Sequence, residues 1–144
     1  MPETTNPTSK VRPGQMHLTN ALQYRMPLAA LVSILHRASG ALIFVLLPFV
    51  IWMFDGSVST ESSYERFANA FVAGIGVVPA VLVKLVVLAL IWAYLHHALA
   101  GLRHMWMDVT HRMSKDQGRH TAAATLVISL ALTVGLAGKL FGLY

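Results

Sequence analysis

Four stretches of the chain contain no Asp, Glu, Lys or Arg: positions 38–54, 67–83, 85–102 and 120–138. A bilayer core of about 30 Å is crossed by roughly 20 predominantly apolar helical residues. Inside lipid, a helix satisfies its own backbone hydrogen bonds, so repeated runs of about this length predict an all-α integral membrane protein. The composition agrees: 56% of the 144 residues are apolar and only 12% are charged, about half the charge of an average soluble domain. Six acids and eleven Lys/Arg are too few to give a soluble protein its polar shell. The net charge of +5 is spread along the chain, so it reads as a topology signal, and nucleic acid is not an expected partner.

The sequence predicts an amino-terminal arm, 1–26, followed by a three-helix transmembrane domain, 27–144. The arm begins with a Pro- and Thr-containing polar segment and has an interfacial amphipathic piece over 15–26. It has no apolar run resembling a cleaved signal. The spans are expected at about 27–54, 79–107 and 121–143. Pro27 suits the first turn, and Pro48 lies within a helix that a bilayer tolerates. A polar loop is expected over 55–66, while 67–78 reads either as an interfacial helix or as an early part of the second span. The third span is rich in small residues suited to close helix packing.

Basic residues set the orientation. Lys10, Arg12, Arg25 and Arg37 flank the first span, and Arg103, Arg112, Lys115 and Arg119 the second connection, against Arg66 alone in the first connection. The positive-inside rule then predicts a cytoplasmic amino terminus and a periplasmic carboxyl terminus in a bacterial inner membrane.

All seven histidines, at 17, 36, 96, 97, 104, 111 and 120, fall in the half of the protein on the basic side. With no cysteine, any metal must be held by His or carboxylate. His97 and His104 are seven apart, hence on one helix face about 10 Å apart along the axis, and Asp108 and His111 continue that stripe. An ionisable group deep in an apolar run is a functional candidate, and His97 reads either as a metal or haem ligand or as a satisfied core residue. Gly101, between the two histidines, leaves room for a flat ligand or a neighbouring backbone. His17, His111 and His120 read as interfacial residues. His96 points about 100° away from His97, toward lipid or another helix.

A second constellation opens the first span. Ser33 and Arg37 are four apart and His36 is adjacent, so all three neighbour one another on the helix surface. Arg37 either snorkels to lipid phosphates or pairs with an anion or carbonyl held in the bundle, beside the Ser33 hydroxyl. Arg103 offers another cation at similar depth. Nucleotide loops, zinc-protease motifs and Ser/His/Asp arrangements are not found in the sequence.

The run Ser33-Ile34-Leu35-His36-Arg37-Ala38-Ser39-Gly40 has the form SxxHRxSG. The run from His97 to Asp108 has the form HxxxGxRHxxxD. Together they resemble the cytochrome b556 membrane-anchor subunits of succinate dehydrogenase, respiratory complex II, and the three-span plan with an early Arg-Pro extends the likeness over nearly the whole chain. The resemblance implies a non-catalytic anchor and electron-transfer subunit. With a second small membrane-anchor subunit it would hold the iron–sulfur and flavoprotein subunits at the membrane and enclose a shared haem b. By motif position, His97 is implied as the axial haem ligand, His36, Arg37 and His104 as propionate contacts, and Ser33 and Arg37 as the quinone-binding pair, with ubiquinone the expected quinone. Asp108 is implied in a proton path. Rival readings are the anchor of a quinol:fumarate reductase, a small membrane transporter using Arg37 and His97 as substrate or relay groups, and a purely structural membrane subunit.

Overall fold

The structure is a computed structural model and describes residues 26–111 and 114–143. It is all-helical in its named elements. These are α1 (Leu28–Val58), α2 (Glu61–Ala70), α3 (Ala80–Thr110) and α4 (Lys115–Leu140). Three of them, α1, α3 and α4, are long and apolar enough to cross a membrane. At 1.5 Å per residue the 31-residue α1 and α3 extend about 46 Å, so each projects beyond a hydrocarbon core of about 30 Å. The interfacial segment expected over 15–26 lies, apart from Met26, outside the described residues.

Helix boundaries follow local hydrogen-bond chemistry more closely than they follow hydropathy. Pro27 stands just before α1, its carbonyl accepting from the Ala30 and Leu31 amides, and α1 runs through Pro48. It continues past the expected end at 54 as far as Val58, because hydroxyls satisfy its last turn. Ser57 Oγ donates to the Phe54 carbonyl at 2.7 Å and Ser59 Oγ to the Asp55 carbonyl at 2.8 Å. The polar loop expected over 55–66 is therefore largely helical. Thr60 opens α2 with a reciprocal capping box to Ser63, a pairing that satisfies two amides lacking intrahelical partners. Beyond α2 the chain turns tightly through Gly74 and Gly76, both at positive φ, and Ile75 and Val78 exchange two 2.9 Å backbone bonds. Residues 67–78 thus divide between the end of α2 and this turn. The third long helix begins at Lys115 rather than 121, because Ser114 and Gln117 form a second capping box.

The central helix of the bundle is α3, packed against both α1 and α4, while α2 lies against α1. Large apolar residues such as Phe44, Val45, Ile51, Val127 and Val134 are on the outside, as expected where lipid or another membrane helix is the solvent. The interior contains Val32, Ala93, Ala100 and Ala122 together with Ser39, His96, Arg103, Thr125, Ser129 and Thr133. The α4 hydroxyls serve their own helix: Thr125 donates to the Thr121 carbonyl, Ser129 to Leu126 and Thr133 to Ser129, at 2.7–3.0 Å. This back-bonding makes a polar stripe tolerable away from water. At the far end Lys84 places its ammonium 5.5 Å from the centre of the Phe141 ring, a cation–π contact that ties the start of α3 to the end of α4.

Candidate functional site

Three of the candidate residues converge between α1 and α3. The His36 ring stacks on His97 with centroids 4.2 Å apart and planes 22° apart, and its centroid is 5.2 Å from that of His104. Two features bring His97 so close to α1. One is Gly40: a Cβ there would lie 2.8 Å from His97 Cε1 and 3.1 Å from Nδ1, so a side chain at this position would displace the imidazole. The other is a tether, His97 Nδ1 donating to the His36 carbonyl at 3.1 Å, an acceptor shared with Ser39 Oγ at 2.9 Å. A carbonyl only accepts, so the ring proton belongs on Nδ1 and the Nε2 lone pair is left available for coordination. Gly101 is the looser of the two glycines, its added Cβ meeting only His36 Nε2 at 3.7 Å. Among the described residues no neighbouring backbone approaches a Cβ at Gly101 within 4 Å, and the tight approach in this region is that of the His97 ring to Gly40.

Among the described residues no group of three or more His, Asp or Glu side chains is arranged to hold a metal ion. The histidines form a stack, with one tautomer-fixed imidazole that fits single-site ligation. Ser33 is partly buried on α1 one turn before Arg37, and Arg37 is exposed. Asp108 is exposed one turn past His104. None of the side chains of Ser33, Arg37 and Asp108 has a hydrogen bond or ion pair to another described residue. Ser33 and Arg37 share a helix with His36, and Asp108 shares one with His97 and His104.

The helix face behind this cluster holds what sequence reasoning underrated. His96 is fully buried, with Nδ1 3.4 Å from Ser129 Oγ, its ring centroid 5.4 Å from that of Trp92, and Nε2 without a hydrogen-bond partner among the described residues. Of the two directions open to it, it takes the helix partner and not lipid. Arg103, read as a cation near the candidate site, turns away from it. Its Nε donates to Thr121 Oγ1 at 3.1 Å and its Nη2 to the Gly118 carbonyl at 3.3 Å. A signal was present: residues 93, 96, 100 and 103 on α3 and 118, 122, 125, 129 and 133 on α4 recur at three- and four-residue spacings, the pattern of a small-residue helix interface with polar bonds across it. Replacing Ser129 with Ala is expected to lower stability by about 1 kcal/mol, the typical value of one such bond, read as earlier thermal unfolding in detergent. An unchanged midpoint would show that His96 gains nothing from that hydroxyl.

Fold and site together define a polytopic helical membrane subunit with an intramembrane histidine cluster near one end. A sequence profile of the family described as succinate dehydrogenase/fumarate reductase transmembrane subunit matches residues 9–136, and the chain belongs to that family. It is 30% identical over 125 residues to the succinate dehydrogenase cytochrome b556 subunit of Paracoccus denitrificans, covering 86% of this chain and 91% of that one. It is 31% identical to the subunit of the same name from Coxiella burnetii, covering 88% and 94%. To that of Rickettsia felis it is 25% identical, covering 93% and 97%. Membership implies partner subunits of the complex, and a membrane-integral subunit with three apolar helices fits a bacterial inner membrane.

Proposed function

We propose that this chain is the haem-b-binding membrane anchor of a succinate:quinone oxidoreductase, docking the flavoprotein and iron–sulfur subunits and forming part of the quinone-reduction site. The observation that carries the proposal is the geometry of His97: an imidazole with Nδ1 tethered to a backbone carbonyl, Nε2 left as the donor atom, and a glycine opposite it where a Cβ would not fit. These residues suit an axial ligand of haem b, whose bound iron supplies one-electron transfer. The relatives carry the name cytochrome b556, which accords with this cofactor. The second axial ligand would come from the partner anchor subunit. His36, stacked on the tethered ring, His104 next to His36, and Arg37 would meet the propionates.

Ser33 and Arg37 lie one helical turn apart on α1, with the guanidinium free of partners among the described residues. They would hold a quinone, ubiquinone in this reading, by donating hydrogen bonds to a carbonyl oxygen as it gains electrons. Asp108, exposed beyond His104 on α3, would deliver protons from the aqueous phase. With the basic flanks cytoplasmic and the carboxyl terminus periplasmic, haem and quinone would lie toward the cytoplasmic leaflet.

The test is purification of the chain in mild detergent with whatever accompanies it. The expected result is a b-type reduced-minus-oxidised spectrum together with flavin and iron–sulfur subunits, and a fall of about 10- to 100-fold in quinone reduction for Arg37→Ala, the loss of about one charged hydrogen bond. Succinate oxidation by artificial acceptors should remain unchanged in that variant. Purification without haem or flavin would favour the transporter reading instead. A complex whose bound quinone potential favours quinol oxidation would be a fumarate reductase.

A further inference from the structure

The end of α1 remote from the histidines carries a cleft that the proposed function does not use. His36 and Asp55 are separated by about 28 Å along one helix at 1.5 Å per residue, so the cleft lies near the opposite headgroup level of the bilayer. It forms where α2 folds back on the end of α1 and the turn through Gly74 and Gly76 closes one side. Its volume is about 470 Å³, within the range of small-molecule sites. Asp55, Ser63, Arg66 and Asn69 supply its polar wall, and Trp52 and Phe67 its aromatic one.

Two observations point to the same occupant. First, the cleft has one anion and one cation, and no ion pair joins them. Asp55 Oδ1 accepts from Ser59 Oγ at 2.8 Å, leaving Oδ2 available. Among the described residues Arg66 uses only Nε, donating to the Ser62 carbonyl at 3.3 Å, so both terminal nitrogens are available. A purely anionic ligand would meet Asp55 and a purely cationic one Arg66, whereas a zwitterion suits both. Second, an apolar groove leaves the cleft along α1, lined by Phe44, Val45, Pro48 and Ile51, and shares Trp52 and Asp55 with it. A polar cavity at headgroup depth continuing into an open apolar groove along a membrane helix has the shape of a phospholipid.

We propose that this cleft binds phosphatidylethanolamine. The primary ammonium donates to Asp55, the phosphate accepts from Arg66, and one acyl chain lies along the α1 groove. Phosphatidylcholine, whose quaternary ammonium has no hydrogen to donate, should bind more weakly, and so should phosphatidylglycerol, which has no cation for Asp55.

Native mass spectrometry of the intact complex tests this. The complex is stripped of lipid in detergent and resupplied separately with phosphatidylethanolamine, phosphatidylcholine or phosphatidylglycerol. One phosphatidylethanolamine per chain should be retained, with at least five-fold less retention of the other two lipids. Arg66→Gln and Asp55→Asn should each lower retention at least five-fold, leaving complex assembly and the haem spectrum unchanged. If Arg66→Gln fails to assemble, Arg66→Lys, which keeps the charge, should assemble and retain phosphatidylethanolamine more weakly than the wild type. Equal retention of all three lipids, or of phosphatidylethanolamine in both neutralised variants, would overturn the proposal. So would photo-crosslinking from position 67 that captures a partner-subunit segment or a quinone in place of lipid.

Discussion

Replacing His97 with alanine should abolish the b-type absorbance of the purified complex while the complex still assembles. The expectation rests on the tether to the His36 carbonyl, which fixes the tautomer and aims a single nitrogen. Neither neighbouring imidazole can substitute, since the His36 ring stacks on His97 at 4.2 Å and His104 lies beyond His36. Gly40→Ala is the companion test, because it leaves every histidine in place. A Cβ 2.8 Å from His97 Cε1 must push the ring away from α1 and lengthen the tether. Haem content should therefore fall by an order of magnitude, with any residual band shifted because the His97 ring is displaced. Survival of the wild-type band in His97→Ala would overturn the ligand assignment. An unaltered band in Gly40→Ala would mean that the ring has room the geometry denies it.

The class of fold was legible because lipid favours uncharged runs of helical length as spans, and three of the four runs lie in spanning helices while 67–83 is broken by the turn through Gly74 and Gly76. Helix ends were less legible. Hydropathy stops where charge starts, but a helix stops where its last amides and carbonyls stop finding partners. Ser57, Ser59, Thr60 and Ser114 are polar residues that prolong or begin helices, and they read as loop by composition alone. For the site, seven-residue spacing placed His97 and His104 on one face, and the structure adds His36 from another helix. The distance from His36 to His97 could not be read from spacing, because it depends on how closely α1 and α3 approach at Gly40. His96 took the helix-facing direction open to it, whereas Arg103, read as another cation at the depth of the site, is bonded across to α4. A charged or ionisable residue in a membrane helix invites a functional reading, yet hydroxyls and carbonyls of a neighbouring helix can satisfy it just as well.

Arg103→Ala should be the most destabilising single change on that face. Arg103 is 7% exposed, and its guanidinium bridges α3 to the first turns of α4, bonding both Thr121 Oγ1 and the Gly118 carbonyl. Hydrogen bonds to a charged group contribute about 1.5–3 kcal/mol each. Loss of both, offset in part by relieving a desolvated charge, gives a net cost of about 3 kcal/mol, more than a hundredfold in the folding equilibrium. Arg103→Lys keeps the charge but not the planar fork that reaches two acceptors from one side chain, so it should recover less than half of the loss. Thermal unfolding of the detergent-extracted complex measures both. The clamp makes a further claim about location: it acts between α3 and α4, whereas quinone is assigned to Ser33 and Arg37 on α1. Arg103→Ala complexes that remain folded at low temperature should therefore keep the wild-type KM for quinone. A raised KM with unchanged stability would move Arg103 from the helix interface into the quinone pocket.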